Sequence, residues 1–436
     1  MGMTRQEHGR PGVARQGLQR WALDAAEAST LALDSLRSQP LRSALAVAGV
    51  VIGIVTVVLV ATVLVGVRNG IAGLFRELGT ENVFAFHREG DPYTPSSDKD
   101  AQRKPLEPWF ADYIARTGTV VNGAAAQIIV PPLVDGRPIV ARAGVNETDT
   151  VLVEGASPGF FEITGTEFRL GRPFTEVENR SAARVVVLGA NVARALFGAA
   201  DAIGKPMTLA GDTYYVVGEA EARKGGFFGE NRQDNVISIP AGTVARRFPD
   251  AKQTILYVRA KPGQLNAARG ETEFLLRRLR RIPPGADSDF NTSTAEQIIQ
   301  QFDQISAQIG LATFALAAVS LIIGGIGIAN VMIISVTERT REIGVRIAIG
   351  AKRRDVLWQF LLEAAMLSIV GGGVGVAISW AIGFLLSLAA PAFPSVPPAW
   401  AVFGGLFSAV STGVIAGYLP ARRAAGLDPV EALRYE

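Results

Sequence analysis

Three stretches of 24 residues or more carry no charged side chain: Ala44 to Val67, Gln304 to Thr337 and Ala364 to Ala421. An apolar helix of about 20 residues crosses roughly 30 Å of hydrocarbon. In lipid, only backbone that satisfies its own hydrogen bonds is tolerated. The first two runs therefore read as one membrane-spanning helix each. The third is too long for a single span, and Pro391, Pro394, Pro397 and Pro398 interrupt it, because proline lacks the helical N–H donor and clashes with the preceding turn. Four spans result, at about 44–67, 310–336, 361–389 and 399–419.

The charges between the spans set the orientation. Arg5, Arg10, Arg15, Arg20, Arg37 and Arg42 precede the first span. Arg339, Arg341, Arg346, Lys352, Arg353 and Arg354 lie between the second and third, and Arg422, Arg423 and Arg434 follow the fourth. The Pro-rich turn has no basic residue. By the positive-inside rule, both termini and the 337–360 loop are expected in the cytoplasm, and residues 68–309 and 390–398 outside it. The first span is read as permanent, since about 43 residues and four acidic side chains precede it and its apolar run exceeds a signal peptide's. Within residues 1–43, Trp21, Leu31, Leu33, Leu36 and Leu41 among spaced arginines fit an amphipathic helix at the cytoplasmic interface or a loose arm.

Apolar residues continue past the first span at helical spacing, at Ile71, Leu74, Phe75 and Leu78. Ser293 with Glu296 reads as a capping box, and Ile298, Ile299, Phe302, Ile305 and Ile309 follow as a stripe toward the second span. Each stripe needs a partner. Paired with each other, the two make a stalk; the alternative is two separate surface helices. Between them, residues 79–292 show strand-like runs at Asn82–Phe86, Ile139–Ala143, Arg184–Leu188, Tyr214–Gly218, Val236–Ile239 and Thr254–Val258. Helical stretches lie near Pro108–Arg116, Ala190–Phe197 and Leu265–Leu279. The expected architecture is a membrane protein with four transmembrane α-helices and a large α+β extracytoplasmic domain in two lobes. That domain is inserted between helices 1 and 2 and carried on helical stalk extensions. The segments are 1–43 (cytoplasmic arm), 44–78 (first span and stalk), 79–292 (outer domain), 293–336 (stalk and second span), 337–360 (cytoplasmic loop), 361–389, 390–398 (external turn), 399–419 and 420–436 (terminal helix).

Candidate chemistry is sparse. The two histidines, His8 and His87, stand in unrelated contexts, which leaves no histidine metal site or Ser-His triad. No G-x-x-x-x-G-K-[ST] run supplies a phosphate-cradling loop. Cysteine is absent, so neither disulfide nor thiol chemistry is available. A net charge of +3 spread along the chain argues against a nucleic-acid partner.

Two patterns remain. In the 337–360 loop, Glu342 and Arg346 stand at i, i+4, the order favoured on a helix, Gly350 suits a helix C-terminus, and Asp355 falls early in the next helix, where its charge suits the dipole. Ile343, Val345, Ile347 and Ile349 alternate as in a strand, but a lone strand here would have no sheet partner, so a short helix is expected. Within the spans, Gly371, Gly375, Ser379 and Gly383 lie four apart, as do Gly49 with Gly53 and Ser320 with Gly324, stripes that permit close helix contact. Asn330 and Glu363 are polar exceptions, Glu363 close enough to the cytoplasmic end to pair with a loop arginine. Past the fourth span, Pro420 is expected to stop the helix, and Asp428, Pro429 and Glu431 read as N-cap, N1 and N3 of a terminal one. Adjacent Phe227 and Phe228 sit in a Gly-rich loop, as a partner contact or tucked back into the domain.

The segment Thr337–Lys352, with Phe360-Leu361-Leu362-Glu363-Ala364, Gly324-Gly325-Ile326-Gly327-Ile328-Ala329-Asn330, Tyr418–Ala425 and Asp428–Arg434, resembles the MacB/FtsX family of ABC-transporter permeases. Val185–Phe197 and Ile203–Gly218 are similar to the outer lobes of its MacB-like members. The resemblance implies a permease without an ATP site of its own. ATP and magnesium would be bound by two copies of a separate ABC ATPase, docked on Glu338, Arg339, Arg341, Glu342, Arg346, Lys352, Arg353 and Asp355. It implies a second permease copy, an adaptor protein on the outer side and residence in the bacterial inner membrane. Two functions are implied: export or extraction of a substrate, or an FtsX-like scaffold that activates an outer partner such as a cell-wall hydrolase.

Overall fold

The structure, a computed structural model, describes residues 40–77, 79, 81–88, 98, 102–134, 136–148, 151–223, 231–390, 393 and 396–434. The N-terminal arm before Pro40 and the Phe227-Phe228 pair lie outside the described residues. The chain divides into two compact units, one holding most of the four long helices and the other Val67–Gln304 with 389–392.

The long helices are Pro40–Glu77, Ala295–Glu338, Arg353–Ala389 and Ala399–Ala425, and all four are long and apolar enough to cross a membrane. They meet through small residues. A Cβ at Gly49 would lie 2.6 Å from the Gly324 Cα, and one at Gly375 would lie 3.0 Å from the Ile54 Cβ. Gly53 faces Leu321 and Ala317, Gly371 faces Val47 and Val50, and Ser379 and Gly383 are buried on the third long helix. Side-chain bulk points outward instead, as with Leu311, Ile322 and Phe407.

The fourth long helix differs from expectation at its end. Pro420 lies inside it, and the helix runs on to Ala425 before Gly426 ends it. Proline forgoes one backbone hydrogen bond, but Ala421, Ala424 and Ala425 are buried in the core of this unit, which holds the last turns in place.

The second unit is built on one mixed sheet. Asn291–Thr294, Asn82–Phe86, Gln253–Ala260, Val121–Ile129, Leu152–Ala156, Val236–Pro240, Val185–Leu188, Asp212–Ala220, Pro206–Leu209, Ala141–Ala143 and Asn146–Glu147 lie side by side in that order. Phe168–Gly171 adds to Asp212–Ala220. At one end, Trp109–Thr117 and Leu265–Leu279 bury Phe110, Ile114, Leu275 and Leu276 against it. At the other, Ala190–Phe197 and Ala241–Arg247 cover Val186, Leu188, Ile237 and Ile239.

The long helices enter this unit with defined contacts. Arg68 donates from Nε and Nη2, one edge of its guanidinium, to the two carboxylate oxygens of Asp303, at 2.8 and 3.2 Å. Phe75 meets Phe84 edge-on at 5.3 Å, and Ile298 packs against the same cluster. The capping box lies one residue later than the sequence suggests. Ser293 is a strand residue opposite Phe84, so Thr294 caps instead: its hydroxyl accepts from the Gln297 amide at 3.3 Å and its own amide donates to Gln297 Oε1 at 3.1 Å.

Candidate functional site: the coupling helix

The loop between the second and third long helices folds as a helix, Thr340–Ala348, the candidate coupling helix. Its end is a Schellman turn. Gly350 sits at φ +105°, its amide bonds to Ile347 O at 3.0 Å, and the Ala351 amide bonds to Arg346 O at 3.0 Å. Asp355 falls in the first turn of the next helix, as its charge favours.

Helical spacing resolves the alternating aliphatics into two sets. Ile343 is buried and Ile347 half-buried among residues such as Met332, Val336, Val356 and Phe360. Val345 and Ile349 point the other way, 42% and 82% exposed. The inner face is clamped at three further points. Gly344 abuts the terminal helix, Pro429–Leu433, so closely that a Cβ would fall 2.5 Å from that of Ala432. A mid-helix glycine costs about 1 kcal/mol relative to alanine, and this contact is what requires it. Arg339 reaches Glu363, 1% exposed on the third long helix, at 3.5 Å. Arg346 donates to Glu342 at 2.5 Å, in the preceding turn of the coupling helix, and to Gln359 at 2.9 Å, on the following helix.

The expected docking residues therefore separate by role. Arg339 and Arg346 hold the helix in place. Glu338, Arg341, Glu342, Lys352, Arg353 and Asp355 are exposed around it. Sequence reasoning missed two things. One is the outward pair Val345 and Ile349, whose signal was the i, i+4 spacing hidden inside the alternation. The other is a second small-residue stripe, Gly405, Ala409, Gly413 and Gly417, buried along the fourth long helix. A Cβ at Gly417 would lie 2.5 Å from that of Ala364, and one at Gly413 would run into the Ser368 hydroxyl.

Residues 43–273 match the MacB-like periplasmic core domain and residues 314–429 the FtsX-like permease C-terminal domain. The chain belongs to the MacB/FtsX family of ABC permeases. The macrolide export ATP-binding/permease protein MacB of Wolinella succinogenes is 32% identical over 95% of this chain and 61% of its own length. The protein of the same name from Burkholderia cenocepacia is 33% identical over 94% of this chain and 57% of its own. The chain thus spans about three-fifths of the length of these relatives. Among solved structures, the periplasmic region of MacB from Actinobacillus actinomycetemcomitans is similar with a TM-score of 0.42 and 16% identity, covering 53% of this chain and 97% of that one.

Within this family the mixed-sheet domain between the first two membrane helices is the periplasmic domain, and the protein is a multi-pass membrane permease.

Proposed function

We propose that this chain is the permease subunit of a bacterial inner-membrane exporter, driven by a separate ABC ATPase whose two copies bind ATP and magnesium. Both termini and the coupling helix face the cytoplasm, and a second permease copy completes a two-fold assembly, since two ATPase copies require two docking helices. The observation that carries this reading is the two-faced coupling helix. Its inner face is fixed to three other helices by Ile343, the Gly344–Ala432 contact and the Arg339–Glu363 pair. Its outer face presents Arg341, Val345 and Ile349, all exposed among the described residues. A push on such a face moves the membrane helices rather than the loop alone.

The polar groups of the spans support work done outside the membrane. Thr56, Thr62, Ser320, Ser368, Ser379, Ser408 and Thr412 each donate to a carbonyl of their own helix. These hydroxyls are engaged in their own helices rather than lining a polar path. An adaptor on the outer side would receive the exported molecule, and the relatives' names favour export as the task.

Charge reversal at both Glu342→Arg and Arg346→Glu tests the docking. The mutual pair survives in reverse, and a carboxylate at position 346 can accept from the Gln359 side-chain amide in place of the bond Arg346 donates, so the helix should form and the chain should insert normally. The charge order offered to the ATPase changes, and interfacial charges fix register as well as affinity. ATPase co-purification should fall or hydrolysis should uncouple from export. Wild-type behaviour in both would reduce the loop to a topological connector. Reporters fused after Pro249 and after Lys352 should score as extracytoplasmic and cytoplasmic; the reverse at either site removes the reading.

A further inference from the structure

The ends of the second and fourth long helices, the start of the coupling helix and the terminal helix enclose a cavity of about 300 Å³. Its walls divide by chemistry. Ile333, Val336, Pro420 and Leu427 form an apolar side, and Thr337, Thr340, Arg423 and Glu431 a polar one. Both threonine hydroxyls already donate to helix carbonyls, Thr337 to Ile334 and Thr340 to Val336 and Thr337. The guanidinium of Arg423 is the cationic donor left on this wall.

Glu431 is the third residue of the terminal helix, a position from which glutamate commonly returns a bond to the N-cap amide. Here Asp428 caps alone, accepting from the Val430 amide at 2.8 Å. Among the described residues, neither Glu431 nor Arg423 makes a side-chain hydrogen bond or an ion pair, and they do not pair with each other although they line one cavity. Two exposed side chains of opposite charge that line one space without pairing complement a zwitterion. The setting says which one. Ile333 and Val336 lie in the last turns of one membrane-spanning candidate and Pro420 near the end of another; with those helices in a bilayer, the apolar wall would run on from the hydrocarbon and the polar wall would stand at headgroup level.

We propose that this cavity binds a zwitterionic aminophospholipid of the phosphatidylethanolamine type. Its phosphate would lie on Arg423, which offers a fork of N–H donors suited to phosphate. Its primary ammonium would lie on Glu431, and the first part of an acyl chain along Ile333, Val336, Pro420 and Leu427. An acidic phospholipid would set its net charge beside an unpaired Glu431. A choline headgroup has no N–H to donate to that carboxylate. Thr340 opens the coupling helix and Ala432 abuts Gly344, so the bound lipid would touch both the coupling helix and the terminal helix packed against it. The proposal rests on the membrane placement of the helices and is independent of the ATPase reading.

Native mass spectrometry of the delipidated full chain, titrated separately with phosphatidylethanolamine, phosphatidylglycerol and phosphatidylcholine, tests it. One phosphatidylethanolamine per chain should survive, in preference to the other two. Arg423→Ala and Glu431→Ala should each weaken retention by about tenfold, the scale of losing one charged hydrogen bond. Glu431→Ala should also erase the preference over phosphatidylglycerol. Arg423→Lys, which keeps the charge, should retain most of the lipid and so separates charge loss from misfolding. In intact membranes, a photoreactive residue at Leu427 should cross-link to lipid. Equal retention by wild type and both alanine variants, or a cross-link to a protein chain in place of lipid, would overturn the assignment.

Discussion

A methyl group added at Gly49 in the helical unit would collide with the backbone of the neighbouring helix, whereas in the sheet domain the most deeply buried side chains include the large Tyr214, Phe86 and Phe174. The two regions face different solvents. Lipid tails are as apolar as leucine, so burying a leucine between membrane helices gains little, and close backbone approach through small residues drives association instead. The sheet domain faces water, where each buried apolar side chain contributes about 1.5–3 kcal/mol. Polar groups follow the same division. In the spans, hydroxyls such as those of Thr62, Ser368 and Ser379 bond back to their own helix. In the sheet domain, a buried network crosses four adjacent strands: Tyr257 donates to Gln127 at 2.8 Å, Gln127 to Glu154 at 2.5 Å and Ser238 to Glu154 at 2.6 Å.

The contrast breaks most visibly at Gly49. Gly49→Leu should destabilise the helical unit by upward of about 3 kcal/mol, since rigid backbone cannot yield to the added side chain. Ile322→Ala, on the lipid-facing side, should change stability by less than about 0.5 kcal/mol. Thermal unfolding in a constant detergent would compare them, and equal effects would dissolve the distinction. Next in size is the sheet network. Glu154→Leu should cost about 2 kcal/mol by leaving buried donors on Gln127 and Ser238 unmet, while Glu154→Gln should cost clearly less.

A pH titration sharpens the comparison from the wet side. The Arg172 guanidinium, hydrogen-bonded to Glu178 at 2.8 and 2.9 Å, helps to lower that carboxyl from an ordinary value of 4.5 to about 2. A lowered carboxylate pKa contributes stability that is complete above the unfolded value and lost as pH falls through the folded one. The sheet domain should therefore lose thermal stability between about pH 4.5 and 2, and Glu178→Gln should flatten part of that slope. The smallest effect belongs to Arg68. Its pair with Asp303 is exposed, so Arg68→Ala should cost less than about 1 kcal/mol in the same assay.

Legibility in sequence follows the same division of solvents. The charge-free runs announce the long helices directly, because lipid forbids charge over a fixed length. In the sheet domain, elements with a plain local pattern are readable: the strand Asn82–Phe86 and the helix Leu265–Leu279 match the observed elements residue for residue. The central strands Val121–Ile129 and Leu152–Ala156 were not. Ala124, Ala125 and Ala126 carry no strand preference, and Glu154 with Gly155 looks like a turn. Both are explained only by their neighbours. Val244 lies where a side chain at Gly155 would go, and Gln127 and Ser238 satisfy Glu154. At the coupling helix, local signals gave the helix and its glycine stop. Which residues face inward depended on the terminal helix and Glu363, far away in sequence.

The account turns on the outer face of the coupling helix meeting an ATPase. The sequence has no cysteine, so Ile349→Cys introduces a unique thiol in this chain at the most exposed aliphatic of that helix. Joined with a short thiol-reactive cross-linker in membranes containing the ATPase, this variant should give a permease–ATPase adduct whose yield changes between ATP-bound and nucleotide-free states. No adduct in either state, from a variant that inserts normally and keeps its thiol reactive, would contradict the claim that this face is where ATP hydrolysis is received.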